Sequence, residues 1–326
     1  MRKLLNRNII ILFESISKMT KKIEKKIRNK IDLFLFVSNL TEWHFSCRKS
    51  FNDVWKKYPH SLTVIEKELI IKFKQILIKY FKKNNEFLLV QFIQNETELN
   101  KNNVLNNLRE VYKILKIFKS RYSNFYSQQR NNISKVEDYS KNLQKKYRIQ
   151  IQKIRQFYDV KSNQPYQIFV TLGQNAKLSA GAMYFNVNNF GYIFLQFGDY
   201  TLSKNNSELD EIIIHEISHH FEKVSYKTDL YKKFSPMLEV DREFKKIGVK
   251  KEDILSEVIN KSIVCFVLNN YRNSIINKPS DLTQKYYQKI QKCAKKLTQY
   301  FQSNKNININ QKVCKMVANL WNGIQP

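Results

Sequence analysis

Residues 209–223 read LDEIIIHEISHHFEK and hold three of the five histidines of a 326-residue chain. Isoleucines 212–214 come just before the first of them. An apolar run of this kind demands a buried face. Histidines four apart, His215 and His219, then stand one turn above the other on a shared face. The segment is therefore expected as a helix packed on a core on one side and presenting chemistry on another. Its start is marked by Ser207 as N-cap, with Asp210 in the capping-box position three residues later. Glu208, Asp210 and Glu211 complement the positive end of the helix dipole.

The chain around this helix is expected to be α+β, mostly helical, in two parts. Residues 1–158 read as a helical region, with apolar positions at helical spacing over 64–81 and again over 104–125. Residues 159–326 read as a second domain that contains a small sheet. PYQIFVTLG (165–173), GAMYFNV (181–187) and NFGYIFLQFG (189–198) read as strands, punctuated by Gly173, Gly181, Gly191 and Gly198. Downstream, 239–249 reads as a short helix, 251–271 as a strong helix with an apolar middle, and 281–322 as two more.

Composition limits the rest. The 57 Lys and Arg against 28 Asp and Glu give a formal charge of +29. Such charge attracts polyanions, so contact with an anionic surface is a possible property of the chain. The basic residues are mostly Lys spread over helical faces, with no recognition motif, and no specific nucleic-acid binding is expected. None of the four cysteines forms a CxxC pair, which argues against a thiolate metal site or a redox dithiol. The N-terminal apolar core NIIILF is short for an export signal. No apolar run reaches the roughly 18 residues of a membrane span, so no transmembrane segment is expected. Cytoplasmic residence is the default reading, and secretion stays open.

His215-Glu216-Ile217-Ser218-His219 is an HExxH pattern. Its spacing lets two neutral imidazoles hold one zinc ion, Zn2+, at about 2.0 Å each. Glu216, one residue round from His215, points away from the metal position. It is placed to take a proton from a water in the open coordination site. His220 points to a different side of the helix, as a supporting or surface residue. No histidine follows His220, so the third ligand should be a carboxylate or a tyrosine. Glu257 is the choice: it lies 38 residues beyond His219, within the apolar stretch ILSEVINKSIV, where an unpartnered carboxylate is costly. Asp229, Glu252 and Asp253 are rival positions. Glu222 faces the same way as His215 but shares its helix. An oxyanion donor is also expected; Tyr231 is the candidate, with Tyr226 nearby and Tyr271 too far along the second helix.

HEISHHF followed by SEVINKSI resembles the gluzincin group of zinc metallopeptidases. The resemblance implies that His215, His219 and Glu257 bind zinc and that Glu216 is the base. It implies a peptide or protein substrate, cleaved at a peptide bond by a metal-activated water. It covers the two helices and the strand before them, and has no part in residues 1–158. Many gluzincins carry an aspartate four residues after the third ligand; here that position is Lys261. In zincins an edge strand beside the active-site helix pairs with extended substrate, a role expected here of residues 191–199. Two other readings stay open: a non-peptidase zinc hydrolase, and a basic nucleic-acid or membrane-surface binding protein whose histidines are structural.

Overall fold

A computed structural model describes residues 29–43, 49–81, 92, 106–161, 165–174, 181–187, 190–198, 206–225, 227–246, 249–269, 281–304 and 307–324. The chain forms two compact units, residues 1–130 and 131–326.

In the first unit, a helix at 29–40 (α1), α2 (Lys49–Trp55) and α3 (Val64–Phe81) share an aromatic core with the N-terminal part of α4 (Asn106–Lys146). Phe34 meets Phe73 edge-on at 5.4 Å, and Trp55 meets Phe125 at 4.7 Å. The start of α3 is a reciprocal capping box. Thr63 N–H donates to Glu66, and Glu66 N–H donates back to the Thr63 hydroxyl. Buried Arg121 of α4 donates to both oxygens of Glu66 and to the carbonyls of Trp55, Tyr58 and His60. The Arg121 charge is thus satisfied in the interior and ties the α2–α3 connection to α4.

The periodicity at 104–125 belongs to a single 41-residue helix, α4, which gives way at Tyr147 to α5 (Arg148–Phe157). Three strands follow, β1 (Tyr166–Gln174), β2 (Gly181–Val187) and β3 (Phe190–Gly198), in the order β1-β3-β2. β3 runs parallel to β1, with Tyr166 opposite Gly191, and antiparallel to β2, with Ala182 opposite Leu195. The strand expected at the edge, 191–198, is therefore the centre of the sheet. Its backbone is taken on both sides, and the edges are β1 and β2. The pairing of β1 slips between Leu172 and Gln174. Gly173 sits at that irregularity, where a bulge leaves one residue unpaired.

The remaining elements are α6 (Asn206–Val224), α7 (Thr228–Phe234), a 3-10 turn (Ser235–Met237), α8 (Arg242–Lys246), α9 (Lys251–Leu268), α10 (Asp281–Gln302) and α11 (Gln311–Gly323). The helix expected over 239–249 is the short α8. α9 is the centre of this unit, packed against α5, α6, α7, α10 and α11. Ile254, Leu255, Val258, Ile259, Ile263, Val264 and Val267 are all buried. It ends at Asn269, whose left-handed backbone (φ 47°) lets its N–H reach the last carbonyls.

α6 lies between α9 and the sheet. Ile213, Ile214 and Ile217 are wholly buried, as the apolar run requires. The start of α6 differs from the capping-box expectation. The helix begins at Asn206, so Ser207 is inside it. Asp210 is buried and accepts hydrogen bonds from the hydroxyls of Tyr139 and Tyr147 and from Lys146. Its charge fastens the first turn of α6 to α4 and α5.

Candidate metal centre

The two motif histidines turn their Nε2 atoms toward each other, 3.0 Å apart. Glu257 of α9 comes to the same point. Its Oε2 lies 3.4 Å from His215 Nε2 and its Oε1 lies 3.5 Å from His219 Nε2. Ligand atoms about 2.0–2.1 Å from a tetrahedral zinc stand about 3.3 Å from one another, so these separations match three corners of such a site. Two imidazoles and one carboxylate form a donor set that zinc accepts. Among the described residues, this is the one group of three such side chains with ligand atoms within 4.8 Å of each other. Its members are partly exposed rather than sealed, which leaves one side for a further ligand.

The rival carboxylates lie elsewhere. Asp229 is exposed and pairs with Lys232 at 3.3 Å. Glu252 accepts from the Ser235 hydroxyl at 2.8 Å. Asp253 stands one turn before Glu257, close enough for the Glu257 charge to help burial raise its carboxyl. Tyr226 and Tyr271 lie outside the described residues.

Glu216 sits beside the cluster without joining it. Burial pushes its carboxyl up, and the Glu257 charge adds to this, while His219 and His215 pull it down. Glu257 is driven the other way. Burial would raise it, but hydrogen bonds and charge from His215 and His219 hold it far below the usual carboxylate range. Two carboxylates that feel each other's charge thus differ in proton affinity, which suits one to ligation and the other to proton transfer.

Behind His219 lies a polar network that the spacing of the motif does not announce. Glu222, completely buried, accepts from His219 Nδ1 at 2.9 Å, from the Ser256 hydroxyl at 2.9 Å and from the Asn260 amide at 2.5 Å. Asn260 in turn accepts from the Tyr158 hydroxyl at 2.7 Å. Burial would raise the Glu222 carboxyl, but His219, Lys223 and Ser256 hold it low. A carboxylate on Nδ1 fixes the ring so that Nε2 is the free donor toward a metal.

Tyr231, the expected oxyanion donor, is only 2% exposed. Burial raises its hydroxyl, as do the charges of Tyr158 and Glu222. So buried a ring belongs to the support behind His219, not to a face that a substrate carbonyl meets. Tyr287 of α10 is partly exposed, and its hydroxyl is raised by burial and then by Glu257 and Glu216. Among the described residues it is the tyrosine whose hydroxyl both site carboxylates raise.

His220 is buried against the sheet. Its Nδ1 lies 3.1 Å from the Tyr184 hydroxyl of β2, and its ring lies 5.2 Å from that of Tyr166 of β1. Gly191 of β3 is what lets it in: a Cβ there would stand 2.5 Å from His220 Nδ1 and 2.9 Å from Tyr166 Cβ. The third histidine of the cluster therefore holds α6 to the strands.

Compared with protein-family models, curated proteins and solved structures, the chain matched none of them.

Proposed function

We propose that the chain is a zinc-dependent peptidase with a gluzincin-like centre. The observation that carries this is the convergence of His215, His219 and Glu257 on one point beside Glu216. His215, His219 and Glu257 would hold the ion. Zinc bound there would supply a water acidic enough to ionise near neutral pH and an electrophile for the substrate carbonyl. Glu216, not a ligand, would take a proton from the attacking water and return it to the departing amine. Its raised proton affinity brings it closer to neutral pH, where such a shuttle is efficient. Glu222 holds the His219 ring in register throughout. Tyr287, whose hydroxyl feels the charges of Glu257 and Glu216, is our candidate donor to the developing oxyanion.

β2 packs against α6 and is an edge of the sheet, so an extended peptide would add there as a further strand. This role replaces the one expected of β3. Among the described residues, no helix is long and apolar enough to cross a membrane.

The test is metal content and peptide cleavage measured on the same preparations. Wild type should carry one zinc per chain and cleave members of a peptide library. His215→Ala and Glu257→Ala should lose the metal. Glu216→Gln should keep it while cleavage falls by about 10²–10⁴-fold. A wild type that takes up no zinc after reconstitution refutes the reading. Zinc uptake with hydrolysis of non-peptide amides alone would replace it with a non-peptidase hydrolase.

A further inference from the structure

Glu211 of α6 accepts a hydrogen bond from Lys261 of α9, and the two side chains are only 10% and 14% exposed. Neither residue belongs to the ligand set, but their positions relative to it are regular. Glu211 precedes His215 by four residues on α6, and Lys261 follows Glu257 by four residues on α9. Each therefore sits one turn, about 6 Å, from a ligand on the same face of the same helix.

The two helices are thus joined at successive levels. Glu211 meets Lys261; His215 and His219 meet Glu257; Glu222 meets Ser256 and Asn260. His219 has a direct outer partner in Glu222. Among the described residues, His215 has no equivalent hydrogen bond to its Nδ1. Its position depends on where α6 stands against α9, and one turn before it on α6 the Glu211–Lys261 pair ties the two helices together.

We infer that this pair is a positioning clamp that sets the separation of His215 from Glu257, and through it the affinity of the site for its metal. The inference rests on the zinc-site reading above. It makes Lys261 and Glu211 positioning residues, since neither belongs to the ligand set.

The experiment uses the full chain stripped and reloaded with zinc, its affinity read by competition with a chromophoric chelator. Thermal unfolding of the metal-free protein is recorded alongside. The visible absorption of the cobalt(II) form reports ligand geometry. Lys261→Met and Glu211→Gln should each weaken zinc binding by about tenfold and alter the cobalt bands, as loss of outer support does. The double variant should bind no worse than either single one, because both remove the same contact. Lys261→Arg should recover most of the affinity. If Lys261→Met does not fold, Glu211→Gln carries the same comparison at nearly unchanged shape.

Variants that unfold at lower temperature but bind zinc within twofold of wild type, with unchanged cobalt bands, would overturn the inference and leave the metal site standing. Additive losses in the double variant would also overturn it. A wild type that binds neither metal would overturn both readings.

Discussion

Replacing Glu222 with glutamine separates charge from shape at the outer shell of the site. Glu222 Oε2 collects His219 Nδ1, the Ser256 hydroxyl and the Asn260 amide, whereas Oε1 is buried with no hydrogen-bond partner among the described residues. In Glu222→Gln the amide oxygen can take the place of Oε2 and keep all three bonds. The NH2 group then falls at the position that has no partner to lose. What disappears is the negative charge against His219. Outer carboxylates on metal-bound histidines are worth about 10–100-fold in affinity, or about 1.4–2.7 kcal/mol. The metal-free protein should change by no more than about 1 kcal/mol, since its hydrogen-bond count is preserved and the cost of burying a charge is removed. Glu222→Ala should behave differently. It leaves three donors without an acceptor and should cost about 3–5 kcal/mol of stability as well as the affinity. Chelator competition and chemical denaturation of the metal-free chain read the two quantities apart. Zinc affinity in Glu222→Gln within threefold of wild type would refute the claim that its charge supports His219.

Three further outcomes follow from the geometry. Tyr287→Phe should lower kcat of the zinc-loaded chain by about 10²–10³-fold with KM and zinc content little changed, as measured by steady-state peptide cleavage; unchanged kcat would remove it from the reaction. Gly191→Ala should destabilise the chain by about 1–3 kcal/mol in denaturant titration, because the new methyl meets His220 Nδ1 at 2.5 Å and Tyr166 Cβ at 2.9 Å; a neutral effect would mean that the helix–sheet contact yields freely. At Glu66, burial acts to raise the carboxyl but is outweighed by the Thr63 N–H and Arg121, so the group sits below its ordinary value of 4.5. Its contribution should be fully present above that value and lost as pH falls through the lower folded one. The stability gap between wild type and Glu66→Gln should therefore close in acid, and a gap independent of pH would show that the charge contributes nothing.

The residues of the candidate metal site were legible because their chemistry has a spacing. Four-residue separation puts His215 and His219 together in any helix, and Glu257 betrays itself as a carboxylate among isoleucines and valines. The three strands were legible as aromatic and aliphatic runs bounded by glycines. Their order was not. Which strand lies in the middle depends on a parallel pairing between β1 and β3 that crosses over β2, and such runs carry no record of partners. The burial of Tyr231 was not legible for a related reason. Nearness in sequence to the motif helix does not tell which face of α7 turns inward.

The supporting shell did leave a trace, of a kind distinct from the motif. On α6 the residues facing α9 are Glu211, His215, His219 and Glu222, at steps of four, four and three, which is the spacing of a core stripe. On α9 the polar residues Asp253, Ser256, Glu257, Asn260 and Lys261 follow the same rule within a helix that is otherwise apolar. A buried stripe made of carboxylates, amides, hydroxyls and imidazoles is affordable only if it meets another of its kind, because each group left unpaired costs free energy. Two such stripes in one chain, one of them containing HExxH, therefore specify their own pairing. Asn260, with no exposure, bonded to Glu222 and to Tyr158, has no reason to occupy a helix core except as a member of that shared layer. Lys261, one turn beyond Glu257, is matched across the same layer by Glu211, so even its charge at this level has a partner of opposite sign.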